Sequence, residues 1–270
     1  MAIVTISRGS FSGGVAVAEA VAERLGVPCI SREVVRDAAQ ASGVDEGVLV
    51  ATLEDPPRFW EKSPGRIPAH LNLVRTALLE RARGGDFVYH GYAGHLLLGG
   101  ISHVLRVRVI ASESYRVRAA MDDFGMGEKE AAKYVKTLNT QLMKWTKFLY
   151  GVDWQDPALY DVVLRVDRVG VEGAADTIVA MTRLEPFQPT AESEKALADL
   201  LLSSTVWSAL TADSRTRAAN VRVAADGGEV FVTGSADTAW ALDAIGEVAG
   251  QVPGGARVDN QVGVGGHWQW

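Results

Sequence analysis

The residues best placed to do chemistry lie near the start of the chain, in Ser7-Arg8-Gly9-Ser10-Phe11-Ser12-Gly13-Gly14. A short apolar run (Ile3, Val4, Ile6) leads into them, and an apolar stripe at helical spacing (Val17, Val21, Leu25) follows. A strand, a glycine-rich loop and a helix N-terminus in that order aim successive backbone N–H groups at one point, which suits a phosphate. Gly9 and Gly14 stand at the spacing of the two glycines in G-x-x-x-x-G-K-[ST]. That pattern reserves the next two positions for an ammonium on the β/γ-phosphates and a hydroxyl on Mg²⁺; here they are Val15 and Ala16. The chain keeps the cradle, with Gly9, Ser10, Ser12, Gly13 and Gly14 as its phosphate- or nucleotide-binding residues, and loses the charge. Arg8, beside the loop, is the candidate substitute, because a guanidinium grips phosphate through two N–H groups.

The remaining cations of interest are Arg32, Arg116, Arg118, Lys144 and Lys147. Arg116 joins Arg8 as a candidate catalytic residue. Arg118 falls two positions from Arg116, so the two do not share a helix face and one of them is solvated. His90 and His95 have the look of a metal pair, but no carboxylate or cysteine stands at supporting spacing, so they read as structural and no metal site is expected. Asp122-Asp123 reads as a solvated helix end. Ser10 and Ser12 lack a base partner, which leaves nucleophilic catalysis without support. Cys29 is the only cysteine, so an internal disulfide is excluded; its apolar neighbours Val27 and Ile30 suggest a buried structural thiol.

The elements that must position these residues alternate. After the first strand and helix come a short strand at 27–30 and a helix from Arg32 to Ala41, capped by Ser31. Residues 53–68, with four prolines, read as an irregular loop. A helix from Leu71 to Arg83, a strand at Phe87-Val88-Tyr89 and a strand from Val104 to Ala111 follow. Ser112 caps the helix carrying Arg116; a longer helix spans Glu128 to Phe148, then a strand from Asp161 to Val166 and a closing helix around Val171–Val179. Such alternation predicts a parallel sheet with helices on both faces and the ligand at the carboxyl ends of the strands. Composition shifts at Glu185-Pro186-Phe187-Gln188-Pro189-Thr190, a linker. Beyond it a helix, two strands joined at Asp226-Gly227-Gly228, a helix and a last strand from Ala256 to Val264 predict a small α+β layer. The expected division is 1–184, linker 185–190, second domain 191–264 and tail 265–270, whose Trp268 and Trp270 pack on a surface.

At 270 residues, 47% hydrophobic and 22% charged, the chain has the composition of an ordinary globular protein. A net charge of −6 argues against nucleic acid as its partner. No basic leader precedes the first strand and no apolar run nears the ~20 residues of a membrane span, so a cytoplasmic location is expected.

The first ~183 residues resemble the cytidylate-kinase-like family, a branch of the nucleoside monophosphate kinases with a P-loop fold. The resemblance rests on Ile6-Ser7-Arg8 with Ser12-Gly13-Gly14, on Val88 to Ala93, on the helix with Arg116, and on Gly151-Val152-Asp153-Trp154-Gln155-Asp156-Pro157 with Tyr160-Asp161. It implies ATP or another nucleotide with Mg²⁺ and phosphoryl transfer to CMP or dCMP. Against the family pattern, the P-loop cation is Val15, a Gly-Arg pair appears as Gly91-Tyr92, a lid arginine appears as Leu142, and an acidic residue appears as Ser31. Losing one such cation slows phosphoryl transfer by orders of magnitude. Residues 191–264 resemble a BON domain, carried by Gly227-Gly228-Glu229-Val230-Phe231-Val232-Thr233-Gly234 and Val258-Asp259-Asn260-Gln261-Val262. That likeness implies attachment to phospholipid surfaces or to proteins.

The expected function is a degenerate kinase-like module that binds a nucleotide or phosphate, or serves as a scaffold, with a BON-like docking domain and little or no kinase activity. Two alternatives stand beside it: an active CMP/dCMP kinase using Arg8 and Arg116, and a self-assembling homo-oligomer built on the apolar substitutions Val15, Tyr92 and Leu142.

Overall fold

Every residue of the first strand up to Ser7 is buried on both sides, which only a central strand of a covered parallel sheet requires. The computed structural model describes residues 3–54, 66–91, 93–255 and 257–265. In chain order the first unit runs β1 (Ile3–Arg8), α1 (Gly14–Leu25), β2 (Cys29–Ile30), α2 (Glu33–Ser42), α3 (Glu46–Glu54), α4 (Arg66–Gly84), β3 (Phe87–His90), α5 (Gly94–Leu97), β4 (Val104–Ile110), α6 (Glu113–Phe124), α7 (Glu128–Tyr150), β5 (Val162–Arg165) and α8 (Val166–Met181). Its five strands are parallel in the order β2-β3-β1-β4-β5, so β1 is central and its C-terminal loop opens at the middle of the sheet edge.

Alternate side chains of the strands feed two cores. Val4, Ile6, Val88, Leu105, Val107 and Val109 meet Val17 and Val21 of α1 and Ile178 of α8 on one face. Ile3, Phe87 and Tyr89 meet Val34, Leu49, Leu78, Leu79, Leu97 and Leu98 on the other. The expected parallel sheet with helices on both faces is what forms.

The second unit has α9 (Ala191–Ala212), β6 (Asn220–Asp226), β7 (Glu229–Ala236), α10 (Ala239–Gly250) and β8 (Arg257–Val264). β6 and β7 pair antiparallel through Gly227 and Gly228, both at positive φ (59° and 87°), as a two-residue hairpin of matched twist demands. β7 pairs parallel with β8, and Val206, Leu210, Val230, Val232, Ile245 and Val248 form the core beneath. This is the anticipated small α+β layer.

α9 serves both units. Its early residues Leu197 and Leu201 sit in the first unit's core, while Leu202, Val206 and Leu210 sit in the second's. Polar contacts fasten it to α4: the Asn72 amide donates to the Ser204 carbonyl and to Ser208 Oγ, each at 2.8 Å, and accepts from Ser204 Oγ at 2.9 Å.

Several local expectations need correction. Ser31 does not cap α2; its N–H donates to Glu33 Oε2, and the helix starts behind Arg32 with no capping bond to its first turn. The stretch 53–68 is not wholly irregular. Leu53 and Glu54 end α3, and α4 begins at Arg66, with Pro68 in its first turn where no helical N–H bond is lost. Pro56, Pro57, Phe59, Trp60 and Pro64 lie outside the described residues, as do Tyr92, Ala256 and the tail tryptophans. Cys29 is half-buried rather than buried, because β2 is an edge strand. Ser112 caps α6 as expected, accepting from the Tyr115 N–H. No helix among the described residues is long and apolar enough to cross a membrane.

Candidate functional site

The glycine loop is closed by its own atoms. Ser12 donates from its N–H (3.2 Å) and its Oγ (2.8 Å) to the Gly9 carbonyl, and the Gly9 N–H reaches the Val109 carbonyl of β4. Phe11 and Gly13 adopt left-handed backbone (φ 60° and 75°), a conformation that costs little for glycine and is uncommon for phenylalanine. Phe11 is held there by ring contacts with Phe124 at 5.9 Å and Tyr134 at 6.0 Å. The chain then enters α1, whose first-turn N–H groups have no helical acceptors. Ser12, buried and bonded within the loop, is a brace more than a ligand.

Arg116 also braces. Its Nε donates to the Ser10 carbonyl at 2.7 Å and its Nη2 to Asn139 Oδ1 at 2.6 Å, so α6 and α7 grip the loop through one guanidinium. Burial lowers its pKa from the ordinary guanidinium value, and it stays charged. Arg118 is exposed, and Lys144 and Lys147, which the sequence left as cations available to the site, lie within α7 and face solvent.

Beside the loop is a cavity of about 280 Å³, walled by Ser7, Arg8 and Ser10 from the β1 end, Ser31 and Arg32 ahead of α2, and His95 of α5. Leu142, Trp145 and Tyr150 of α7 and Trp154 close the apolar side. None of the described residues lining it is acidic. Arg8 is turned into it by Gly14, where a Cβ would come within 2.6 Å of the Arg8 Cβ. Burial, and then the charge of Arg32, lower the Arg8 pKa, and its Nε is buried with no hydrogen-bond partner among the described residues. His95 is 4% exposed with both ring nitrogens equally unpartnered. Burial, with the charges of Arg106 and Arg108, pulls its pKa down to about 4, so it is a neutral ring near pH 7. The Tyr89 hydroxyl, also unpartnered, is pushed far above its usual range by burial. Tyr150 is pushed up to about 12 for the same reason.

The wall around His95 is built by the second half of the unit. His95 packs on Tyr160 with ring centroids 4.7 Å apart, and the Tyr160 hydroxyl donates to the Trp154 carbonyl at 2.8 Å. Arg108 lies over the Trp154 ring at 4.6 Å and donates to the Gln155 carbonyl. Arg106 forms a two-pronged pair with Asp161 (2.7 and 3.1 Å). The arginines that interrupt apolar β4 therefore fasten the Trp154–Asp161 segment rather than reach a ligand.

The arrangement fits a phosphate: backbone N–H groups at the loop, two guanidinium groups nearby and no lining carboxylate. It does not supply a magnesium hydroxyl at the usual place, since Ala16 has none and Ser12 Oγ is committed to Gly9. Val15 stands 37% exposed where the pattern has its ammonium. Leu142 contributes hydrocarbon to the cavity wall where the family resemblance expects an arginine. Tyr92 falls outside the described residues. His95 was undervalued by sequence; the signal, visible only afterwards, is its place one residue after Gly94, whose missing Cβ lets Tyr89 lie within 2.4 Å of that point.

Among solved structures the fold resembles an uncharacterized protein from Eubacterium ventriosum (TM-score 0.52, 20% identity, over 67% of this chain and 98% of that one). It also matches shikimate kinase from Bacteroides thetaiotaomicron (0.43, 12%, 68% and 99%) and a gluconokinase from Sinorhizobium meliloti (0.41, 19%, 67% and 93%). No curated protein sequence matches the chain. Residues 198–266 match the BON domain, and residues 3–168 match the cytidylate kinase-like family. With that match spanning more than half its length, the chain belongs to the cytidylate kinase-like family and carries a BON domain behind it.

Proposed function

We propose that the kinase-like unit binds a nucleotide or other phosphate-bearing ligand and transfers phosphoryl groups slowly or not at all, while the BON unit docks it to a protein or phospholipid surface. The division into 1–184 and 191–264, joined by 185–190, belongs to the same proposal. The observation that carries it is the pairing of an exposed Val15 at the cation position with a cavity lined by Arg8, Arg32 and His95. Binding needs donors and a complementary charge, which these residues supply. Transfer needs cations that follow the migrating charge, and each missing one costs roughly 10³–10⁵ in rate on the scale of an arginine finger. Gly9, Ser10, Gly13, Gly14 and Arg8 contact the phosphate in this reading, Ser12 and Arg116 shape the loop, and His95 meets a polar group of the ligand.

Calorimetric titration with ATP, GTP, CMP and CTP, each with and without Mg²⁺, tests it, together with a coupled assay for phosphorylation of CMP and dCMP. Binding without turnover is the expected result. Turnover at the rates of an ordinary nucleotide kinase overturns it. The second reading, an active kinase with a rearranged site, is favoured by one observation, the unpartnered Arg8 Nε inside the cavity. It requires that Arg8→Ala abolish turnover in a protein that still folds.

A further inference from the structure

α7 carries a charge pattern that the phosphate site does not use. Lys129, Lys133, Lys136, Lys144 and Lys147 follow one another at three- and four-residue steps, with Thr140 filling the single gap, so they share one face of the helix. All five are exposed, and none has an ion-pair partner among the described residues. The opposite side of α7 is buried through Ala131, Val135 and Trp145, which fixes the lysines outward. Between Lys133 and Phe148 the helix has no carboxylate; the acidic residues nearest in sequence are Glu128 and Glu130 in its first turn and Asp153 and Asp156 just beyond its end. From Lys133 to Lys147 the stripe is about 21 Å long. It belongs to a chain of net charge −6, so it runs against the sign of the rest of the molecule.

We propose that this face of α7 docks the protein onto an anionic phospholipid surface. Two features select lipid over other polyanions. The cations are all lysine, a compact hydrated charge on a long apolar stem that settles at a headgroup layer; recognition of a discrete phosphate or a nucleic acid backbone favours the planar fork of arginine. Two large apolar side chains flank them: Phe148 is 60% exposed and Met143 39% exposed. Phe148 is held out by stacking on Trp145 (centroids 5.8 Å apart, planes 8° apart). A helix with a basic stripe and exposed Phe and Met is shaped to lie flat in an interface, its apolar groups entering the acyl boundary. The surface differs from the BON unit, so it adds a second contact to whatever that unit makes.

Co-sedimentation of the full chain with phosphatidylcholine vesicles, and with vesicles containing equal parts phosphatidylglycerol, tests the proposal. The wild-type protein is expected to bind the anionic vesicles only, less so as salt is raised. Each lysine at such a surface contributes roughly five-fold to partitioning. The variant Lys133→Gln/Lys136→Gln/Lys144→Gln/Lys147→Gln is then expected to bind several-hundred-fold more weakly with an unchanged melting temperature, and the matching four Lys→Arg changes to restore most of the binding. Phe148→Ser is expected to weaken binding without altering its salt dependence. Failure of the wild-type chain to bind anionic vesicles overturns the proposal. So does equal binding by the Gln variant, which would assign the membrane to the BON unit. Self-association that the Gln changes abolish, in a protein that ignores vesicles, overturns it in favour of a second copy.

Discussion

Arg8 and Gly14 face each other so closely that a side chain at position 14 would put its Cβ 2.6 Å from the Cβ of Arg8. The contact joins the last residue of β1 to the first of α1 and sets the direction in which the guanidinium leaves the strand. Gly14 is thus required by a neighbour as much as by its place in the loop, since its own φ is helical.

Gly14→Ala is expected to destabilise the protein by about 1–3 kcal/mol, the range for overpacking a tight site, and to weaken phosphate-ligand binding as Arg8 is displaced. Arg8→Gly in the same chain should recover much of the stability and none of the binding. Urea melts of both singles and the double mutant measure the coupling; additive losses would show that the two residues do not compete for space.

Arg116 donates to the Ser10 carbonyl and to Asn139, joining the loop to α6 and α7. Arg116→Ala is expected to cost about 1.5–3 kcal/mol, as for a hydrogen bond from a charged donor, and to reduce ligand affinity through a loosened loop. Asn139→Ala should cost less and leave affinity nearly intact. Thermal denaturation and titration with ATP check both; loss of affinity without loss of stability would make Arg116 a direct ligand contact instead.

His95 has a folded pKa of about 4, against an ordinary 6.5. The unfolded chain therefore binds the proton first, and the stability associated with a neutral His95 is full above about pH 6.5 and is lost as pH falls toward 4. The loss is on the order of 3 kcal/mol. His90 and His103 are shifted down in the same direction by burial, and steepen the same window. His95→Phe, which keeps a ring against Tyr160, is expected to flatten the dependence between pH 6.5 and 4. Denaturant melts across that range decide it, and an unchanged slope would place the proton elsewhere.

Asn72 is 7% exposed and makes three hydrogen bonds to Ser204 and Ser208 across the α4–α9 contact. Asn72→Leu removes these three bonds, leaving the Ser204 hydroxyl only its 2.7 Å contact with Thr76 Oγ1, and is expected to cost about 1–3 kcal/mol. A chain ending at residue 190 is expected to lose more, because Leu197 and Leu201 leave the core that holds Leu78 and Leu79. Calorimetry of both should show a lower transition temperature; a truncated chain as stable as the full one would mean that α9 only rests on the first unit.

The strand–loop–helix at the N-terminus was legible because its signals are local: apolar residues in a run, glycines at fixed spacing, an apolar stripe of period 3.6. The second unit was legible for the same reason, through the Asp226-Gly227-Gly228 turn and the alternating strands around it. α3 was not, because nine residues with Leu49 and Leu53 as the buried pair among those described offer too little periodicity. The Ser31 cap failed because α2 starts at Glu33 with Arg32 in the cap position, so Ser31 stands one residue too early and only its N–H is engaged, by the Glu33 carboxylate.

By itself the sequence determined that this protein has a phosphate cradle without its usual lysine, since both facts are matters of residue type at adjoining positions, Gly14 and Val15. Only the tertiary structure decided what the arginines do. Arg116 reaches back over more than a hundred residues to the loop, Arg106 and Arg108 hold the Trp154–Asp161 wall, and Arg8 faces His95's cavity with its Nε unpaired among the described residues. A guanidinium satisfied by a carbonyl, a carboxylate or an aromatic face looks the same in one dimension as one that is free. The difference arises when the parallel sheet brings the ends of β1, β3 and β4 to one edge and packing assigns each charge its partner.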